Sequence, residues 1–248
     1  MTHLSVNINK LATLRNSRGK NNPDLAAWVP QIEAHGVHGI TVHPRPDERH
    51  IRYQDVRDLR GLVRGEFNIE GYPDEAWLKL VDEVRPHQAT LVPDPPHALT
   101  SDAGWQVQSQ AALLESVVKR LKKHTLRVSL FVDPQTFSAE DARLARELGV
   151  DRVELYTEAF AEAHGHRQQQ PTRLSEQIRA YRGAADLALA WGMGINAGHD
   201  LNLENLPTLI DNIPEIQEVS IGHALICDAL NYGMSETLRR YLAAVQKP

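Results

Sequence analysis

Eight short apolar runs, each ended by a polar residue, are the feature that most constrains the fold of this chain. The segments between them are long enough for one helix each, and segment 113–121 carries its apolar residues at helical spacing. A chain that alternates buried strand and amphipathic helix eight times is typical of a closed (β/α)8 barrel. The runs are 4–8, 39–42, 66–69, 88–92, 127–132, 152–153, 194–195 and 219–221.

The polar residues that end these runs are of the types that carry catalysis. Barrels of this kind hold their active sites at the carboxyl ends of the strands, so the sequence predicts where the chemistry lies. The residues at or just after the run ends are Asn9, His43, Glu70, Asp94, Asp133, Glu154, Asn196 with His199, and Gly222 with His223.

Length and composition narrow the class of protein. The 248 residues match one such barrel, so we expect a single (β/α)8 domain over 1–248 with extra helices. A net charge of −5 argues against a nucleic-acid surface and favours small-molecule ligands. The single cysteine, Cys227, excludes an internal disulfide, and neither a signal peptide nor a membrane span is visible. These features predict a soluble cytosolic protein.

Helices and loops follow from the remaining segments. The expected helices are 24–34, 54–63, 74–84, 113–121, 139–148, 174–191, 203–212 and 225–245. Two polar segments, 9–23 and 157–172, are longer than barrel closure requires and are interpreted as loops on the catalytic face. Loops of that kind act as lids or ligand clamps, although simple mobility is the alternative for the second.

The segment after the second run carries a candidate base and an anion site. His43 ends the run, and Arg45 and His50 follow on a loop stiffened by two prolines. Histidine exchanges protons near neutral pH, and arginine beside a second histidine can bind a phosphate group. The alternative is a charged surface turn without function.

Two carboxylates end strands and are expected in the barrel mouth. Glu70 and Glu154 would lie in a partly dry environment, where loss of hydration raises a carboxyl pKa and makes the group a usable acid or base. Each could instead be a structural ion-pair partner for a barrel arginine.

The last two runs end in glycine and histidine. Gly198-His199 and Gly222-His223 suit a phosphate cradled by backbone N–H groups, because glycine allows close approach. His199 is then a candidate acid or base facing His43. A metal site is disfavoured because Arg45 would repel a cation, and no dinucleotide-binding or P-loop pattern is present.

Several motifs together resemble one known family, the pyridoxine 5′-phosphate synthases. The resemblance extends in order from Leu4 to the last predicted helix and rests on segments 6–19, 39–51, 91–93, 196–199 and 221–224. It implies a (β/α)8 barrel that joins 1-deoxy-D-xylulose 5-phosphate to 3-amino-2-oxopropyl phosphate, without metal or other cofactor, and releases phosphate and water. It also implies a homo-oligomer, commonly an octamer of four dimers, with an arginine donated across a subunit boundary.

The resemblance also implies roles for individual residues. His43 and Glu70 match the proton acceptors, His199 the proton donor, and Glu154 the carboxylate that stabilises a charged transition state. The residues that match contacts to the deoxyxylulose phosphate are Asn9, Lys10, Arg45, His50 and Thr100. Those that match contacts to the aminoketone phosphate are Asn7, Arg18, Asp200, Gly222 and His223.

Three positions depart from the family pattern. Asn9 and Lys10 stand where most members have Asp and His, and Asp200 replaces the usual glycine after His199. Asn9 keeps a carbonyl acceptor but loses a charge, and Asp200 adds a carboxylate near an expected phosphate. The alternatives are therefore a paralogue that acts as another phosphosugar aldolase or isomerase, or a non-catalytic phosphosugar-binding protein.

Overall fold

The eight apolar runs form the strands of one closed barrel. The computed structural model describes residues 1–94, 103–124 and 126–246. In these ranges the strands are β1 (His3–Asn7), β2 (Gly39–Val42), β3 (Glu66–Gly71), β4 (Gln88–Leu91), β5 (Arg127–Val132), β6 (Arg152–Leu155), β7 (Gly194–Gly198) and β8 (Ile216–Ile221). Each pairs in parallel with the next along the chain, and β8 pairs with β1. The predicted (β/α)8 barrel is confirmed.

Helices connect the strands, and some add to the minimal pattern. They are α1 (Asn9–Asn16), α2 (Leu25–Glu33), α3 (Tyr53–Arg60), α4 (Glu75–Val84), α5 (Ala111–Leu121), α6 (Ala139–Glu147), α7 (Glu158–Gly165), α8 (Pro171–Ala190), α9 (Leu206–Asn212), α10 (His223–Tyr232) and α11 (Met234–Val245), with one turn of 3₁₀ helix at Lys122–His124. No helix in the ranges that the structure describes is long and apolar enough to cross a membrane.

Side chains alternate along the strands, which decides what faces the barrel interior. In β3, Phe67 and Ile69 are fully buried apolar residues. Between them, the Asn68 side chain donates to Thr41 Oγ1 on β2 (3.4 Å) and accepts from Thr90 Oγ1 on β4 (3.0 Å), so it faces inward. Glu70, two residues further, therefore faces the interior at the carboxyl end of the strand.

The structure corrects three expectations about the connecting segments. Most of segment 9–23 is helical, because α1 buries Leu11 and Ala12 against the barrel despite its polar content. Segment 157–172 likewise contains α7, which buries Phe160 and Ala163. The single helix expected over 225–245 is two, α10 and α11. Gly233 lies between them with φ 77°, which a continuous right-handed helix cannot accommodate.

Strand ends also differ from the prediction. The strands β3, β6 and β7 extend past the predicted stops, so Glu70, Glu154 and Asn196 lie inside strands rather than after them. Strand backbone is fixed by hydrogen bonds on both sides, so these side chains are held more firmly than loop residues would be.

Candidate active site

Two histidine–carboxylate pairs lie at the carboxyl end of the barrel. His43 follows β2 and its Nδ1 atom lies 3.6 Å from Oε2 of Glu70 on β3. Across the mouth, His199 follows β7 and its Nδ1 atom lies 3.8 Å from Oε1 of Glu154 on β6. The positive charge that His199 can carry lowers the pKa of both His43 and Glu70, so the pairs share one electrostatic environment. The structure thus brings together the four predicted acid–base residues.

The first pair is held by asparagines of β1 and α1. The backbone N–H of His43 donates to the Asn9 side-chain oxygen (3.0 Å), and the N–H of Asn9 donates in turn to the Asn7 side-chain oxygen (3.0 Å). The Asn7 amide also donates to Glu70 Oε2 at 3.5 Å. These bonds tie the end of β1 to both members of the pair.

Burial sets the protonation of this pair. Burial, together with the nearby charge of Arg45, lowers the pKa of His43 to about 3. Burial raises the pKa of Glu70 to about 7, which His199 partly opposes. At neutral pH the imidazole is therefore uncharged, and the carboxyl group is poised between its two forms.

The second pair has one buried and one accessible member. Glu154 is 1% exposed, and its pKa is raised by burial and by the neighbouring carboxylates Glu70 and Glu218. The His199 side chain is 21% exposed, and its ring lies edge-on to Phe131 with centroids 5.3 Å apart. His199 has φ 62°, a conformation uncommon for a residue with a side chain, and its N–H donates to the Ser220 carbonyl oxygen.

Three buried polar atoms of the site have no hydrogen-bond partner among the described residues. They are Oε1 of Glu70, Oε1 of Glu154 and Nδ1 of His199. A buried polar atom without a partner costs about 1–3 kcal/mol, so such atoms concentrate where a ligand or ordered water completes the bonding. The pattern indicates a binding site between the two pairs.

Two glycines allow the close approach of backbone at this end of the barrel. A Cβ atom on Gly198 would lie 2.6 Å from the Ser220 carbonyl oxygen and 3.2 Å from Glu154 Oε1. A Cβ on Gly222 would lie 3.1 Å from atoms of Asn7. Gly222 immediately precedes α10, whose first residue is the exposed His223. This geometry is compatible with the predicted phosphate cradle at the start of α10.

Cationic and imidazole groups cluster beside His43. Arg45 is buried and lies 2.6 Å from Asp94, measured from Nη2 to Oδ2. The His50 ring lies 6.4 Å from that of His43. Burial, together with His43, Arg45 and Lys10, lowers the pKa of His50 to about 3. The predicted anion-binding residues Arg45, His50 and Lys10 are therefore neighbours.

The remaining predicted residues are placed less directly. Arg18 is exposed in the turn after α1, and Thr100 lies outside the described residues. Asp200 is half-buried, and its N–H donates to Thr157 Oγ1 (3.2 Å). Burial, together with the charge of Glu158, raises the pKa of Asp200 to about 6.

Sequence reasoning assigned no role to two residues of the site. Asp94 was noted at the end of the fourth apolar run, but its partnership with Arg45 depends on how two loops fold together. Phe131, which packs against His199, lies inside an ordinary apolar strand and gave no signal. Two arginines on barrel strands pair with other carboxylates: Arg127 with Glu66 and Glu218, and Arg152 with Glu218.

Comparison with known proteins identifies close relatives. The model of one protein family, described as pyridoxal phosphate biosynthesis protein PdxJ, matches residues 4–247. The pyridoxine 5′-phosphate synthase of Cytophaga hutchinsonii is 52% identical over 248 residues and covers 100% of both chains. The pyridoxine 5′-phosphate synthase of Parabacteroides distasonis is 50% identical and covers 99% of each chain.

Two solved structures share the fold and are distant in sequence. The tryptophan synthase A-subunit of Pyrococcus furiosus superposes with a TM-score of 0.61 at 10% identity, covering 98% of this chain and 97% of that one. Phosphoribosylanthranilate isomerase of Thermotoga maritima gives a TM-score of 0.57 at 11% identity, covering 99% of both. At these identities the likeness concerns the fold alone.

Proposed function

The chain belongs to the PdxJ family and is a transferase-type biosynthetic enzyme, and from this membership we propose that it makes pyridoxine 5′-phosphate from two phosphorylated substrates. The substrates are 1-deoxy-D-xylulose 5-phosphate and 3-amino-2-oxopropyl phosphate, and the co-products are phosphate and water. The observation that carries the proposal is the paired arrangement of His43 with Glu70 and His199 with Glu154 at one barrel end.

Ring closure by this route needs several proton transfers. Imine formation, eliminations and an aldol-type closure each take a proton from one atom and deliver one to another. Glu70, with a pKa of about 7, can do either at neutral pH. His199 is accessible enough to serve as donor. Positive charge that develops on the substrate favours the ionised form of the buried Glu154, and that carboxylate in turn stabilises the charge.

His43 needs help to act as a base, because a pKa of about 3 makes a weak proton acceptor. Arg45 and Arg49 contribute to that low value. A bound phosphate dianion beside these cations would offset their charge and raise the pKa of His43. In this mechanism substrate binding itself activates the base.

Two phosphate groups require two anion sites. We assign the deoxyxylulose phosphate to Lys10, Arg45 and His50, with Asn9 and Thr100. We assign the aminoketone phosphate to Gly222, His223 and the start of α10, together with Asn7, Arg18 and Asp200. Acid–base groups and fixed cations supply this chemistry, so the proposed reaction uses no metal ion.

The assembly and location are part of the proposal. Leu14 of α1 and Leu230 and Tyr232 of α10 are exposed apolar side chains on two helices that contact each other, which suits a subunit interface. Arg18 follows α1 and is exposed, as expected for an arginine donated to a partner's site. We therefore propose a homo-oligomer, an octamer of four dimers, that acts in the cytoplasm without nucleic acid or membrane.

An assay with each substrate omitted in turn tests the reaction. The purified chain should release phosphate and form pyridoxine 5′-phosphate in equal amounts only when both substrates are present. Phosphate release or isomerised product from the pentulose phosphate alone would instead support a phosphosugar aldolase or isomerase. Binding of substrates without any product would support a binding protein.

A further inference from the structure

Asp94 is a buried carboxylate beside the site to which neither the family resemblance nor the proposed mechanism gives a role. It follows β4, is 4% exposed, and lies 2.6 Å from the guanidinium of Arg45, which is 5% exposed. A buried ion pair of this kind is tolerated because each charge compensates the other, so removal of one partner is costly. The pair therefore fixes where Arg45 can point.

The segment that carries Asp94 is itself firmly held. The backbone N–H of Val92 donates to the Gly71 carbonyl oxygen (3.0 Å), and the indole N–H of Trp105 donates to the Leu91 carbonyl oxygen (2.8 Å). The Trp105 ring also stacks on Tyr72, with centroids 6.0 Å apart. Asp94 thus follows, within two residues, backbone that hydrogen bonds hold in place.

The ion pair lies beside the proposed bases. His43, Arg45 and Asp94 line one small cavity of about 10 Å³, together with Tyr72 and others, so these groups lie side by side. The charge of Asp94 raises the pKa of both His43 and Glu70, whereas that of Arg45 lowers the pKa of His43. Asp94 consequently has two ways to act on the reaction, through orientation and through charge.

We propose that Asp94 is a positioning residue that holds the Arg45 guanidinium in the orientation that receives the phosphate of the pentulose substrate. Its negative charge also offsets part of the positive charge of Arg45 that acts on His43 and Glu70. This rests on the proposed function for the identity of the substrate. Guanidinium has five N–H donors in a fixed fork, so a carboxylate on one edge can set the direction of another.

Substitutions at Asp94 separate orientation from charge. Asp94→Ala removes the acceptor, and it should raise the KM for 1-deoxy-D-xylulose 5-phosphate about tenfold while changing that of the other substrate less than about twofold. Asp94→Asn keeps an acceptor of the same shape but removes the charge. It should change this KM little and shift the acidic limb of the kcat/KM pH profile to lower pH, because Glu70 and His43 both lose a proton more readily.

Two further variants serve as rescue and control. Asp94→Glu keeps the charge and should restore the wild-type position of the acidic limb. Asp186 and Arg182 form an ion pair on the surface of α8. Asp186→Asn breaks this pair and should change neither KM nor the pH profile. Near-UV circular dichroism and thermal unfolding of each variant verify that the fold is intact.

The proposal is overturned if folded Asp94→Ala keeps the wild-type KM for the pentulose phosphate, or raises both KM values equally, or if Asp94→Asn leaves the acidic limb in place. Should the wild-type chain form no product, the proposed function fails separately. Titration with inorganic phosphate then tests Asp94 alone. Binding about tenfold weaker in Asp94→Ala than in Asp186→Asn supports the positioning role, and equal binding overturns it.

Discussion

The side-chain oxygen of Asn9 accepts a hydrogen bond from the backbone N–H of His43, at 3.0 Å. This bond fixes the start of the loop that carries the proposed base, and it needs only an acceptor. A carboxylate of the same length can make it equally well. The family resemblance implies an aspartate at this position, and the asparagine found here supplies the same acceptor to His43.

Substitution at Asn9 tests this equivalence. Asn9→Asp should keep kcat/KM within about threefold of the wild-type value, because the acceptor remains in place. Asn9→Ala should lower the free energy of unfolding by about 1 kcal/mol and reduce kcat/KM about tenfold, since His43 loses its anchor. Steady-state kinetics and denaturant unfolding measure both quantities. Equal activity of the two variants would contradict the role.

The raised pKa of Glu70 makes stability depend on pH. Its value in the folded chain is about 7, above the 4.5 of a free glutamate, so the folded state binds the proton more tightly than the unfolded state. Ionisation therefore destabilises the fold progressively from pH 4.5 to pH 7, on the order of 3 kcal/mol in total. Wild-type stability should fall over this window relative to Glu70→Gln. Urea unfolding at several pH values measures this change. If the free energy of unfolding varied equally with pH in the two proteins, the assignment would be contradicted.

Close packing at Gly198 predicts a sharp contrast between two glycines. In Gly198→Ala the new methyl group would lie 2.6 Å from the Ser220 carbonyl oxygen, so the backbone beside His199 must shift. Stability should fall by about 2 kcal/mol, and kcat/KM should fall about 100-fold. Gly183→Ala, in α8 with nothing within 4 Å, should instead gain about 0.5–1 kcal/mol and keep full activity. Similar behaviour of the two variants would refute the packing argument.

Subunit mixing tests whether Arg18 acts across an interface. Arg18→Ala and Glu70→Gln should each be inactive alone. If Arg18 serves the partner's site, a mixed dimer contains one intact site of two. Random pairing makes about half of the dimers mixed, so about a quarter of wild-type activity should return. Co-expression of the two variants with different tags, followed by isolation and light scattering, supplies the sample. No recovery in verified mixed oligomers would place Arg18 in its own subunit's site or outside any site.

The position of the site was predictable because barrel topology brings strand ends together. Once eight runs were recognised, His43, Glu70, Glu154 and His199 had to lie at one end, and the structure places them there. Burial of the two carboxylates followed from their place at the ends of apolar runs. The family resemblance added roles that spacing alone could not assign.

Other features depend on contacts that a single sequence does not display. The helix α1 was interpreted as a loop because its polar residues outnumber its apolar ones. Packing of Leu11 and Ala12 against the barrel and the ion pair of Arg15 with Asp55 stabilise it. Pairing of Arg45 with Asp94 joins residues 49 positions apart on two different loops. The separation of these two residues along the sequence gives no sign that they pair.

The most direct test of the account is an assay of the chelator-treated protein with 1-deoxy-D-xylulose 5-phosphate and 3-amino-2-oxopropyl phosphate, following pyridoxine 5′-phosphate and released phosphate together. We expect both products from the wild-type chain and neither above background from Glu70→Gln, because the amide cannot exchange the proton that the carboxylate does. Absence of both products from the folded wild-type chain would contradict the proposed reaction. Undiminished turnover by Glu70→Gln would contradict the proposed role of Glu70.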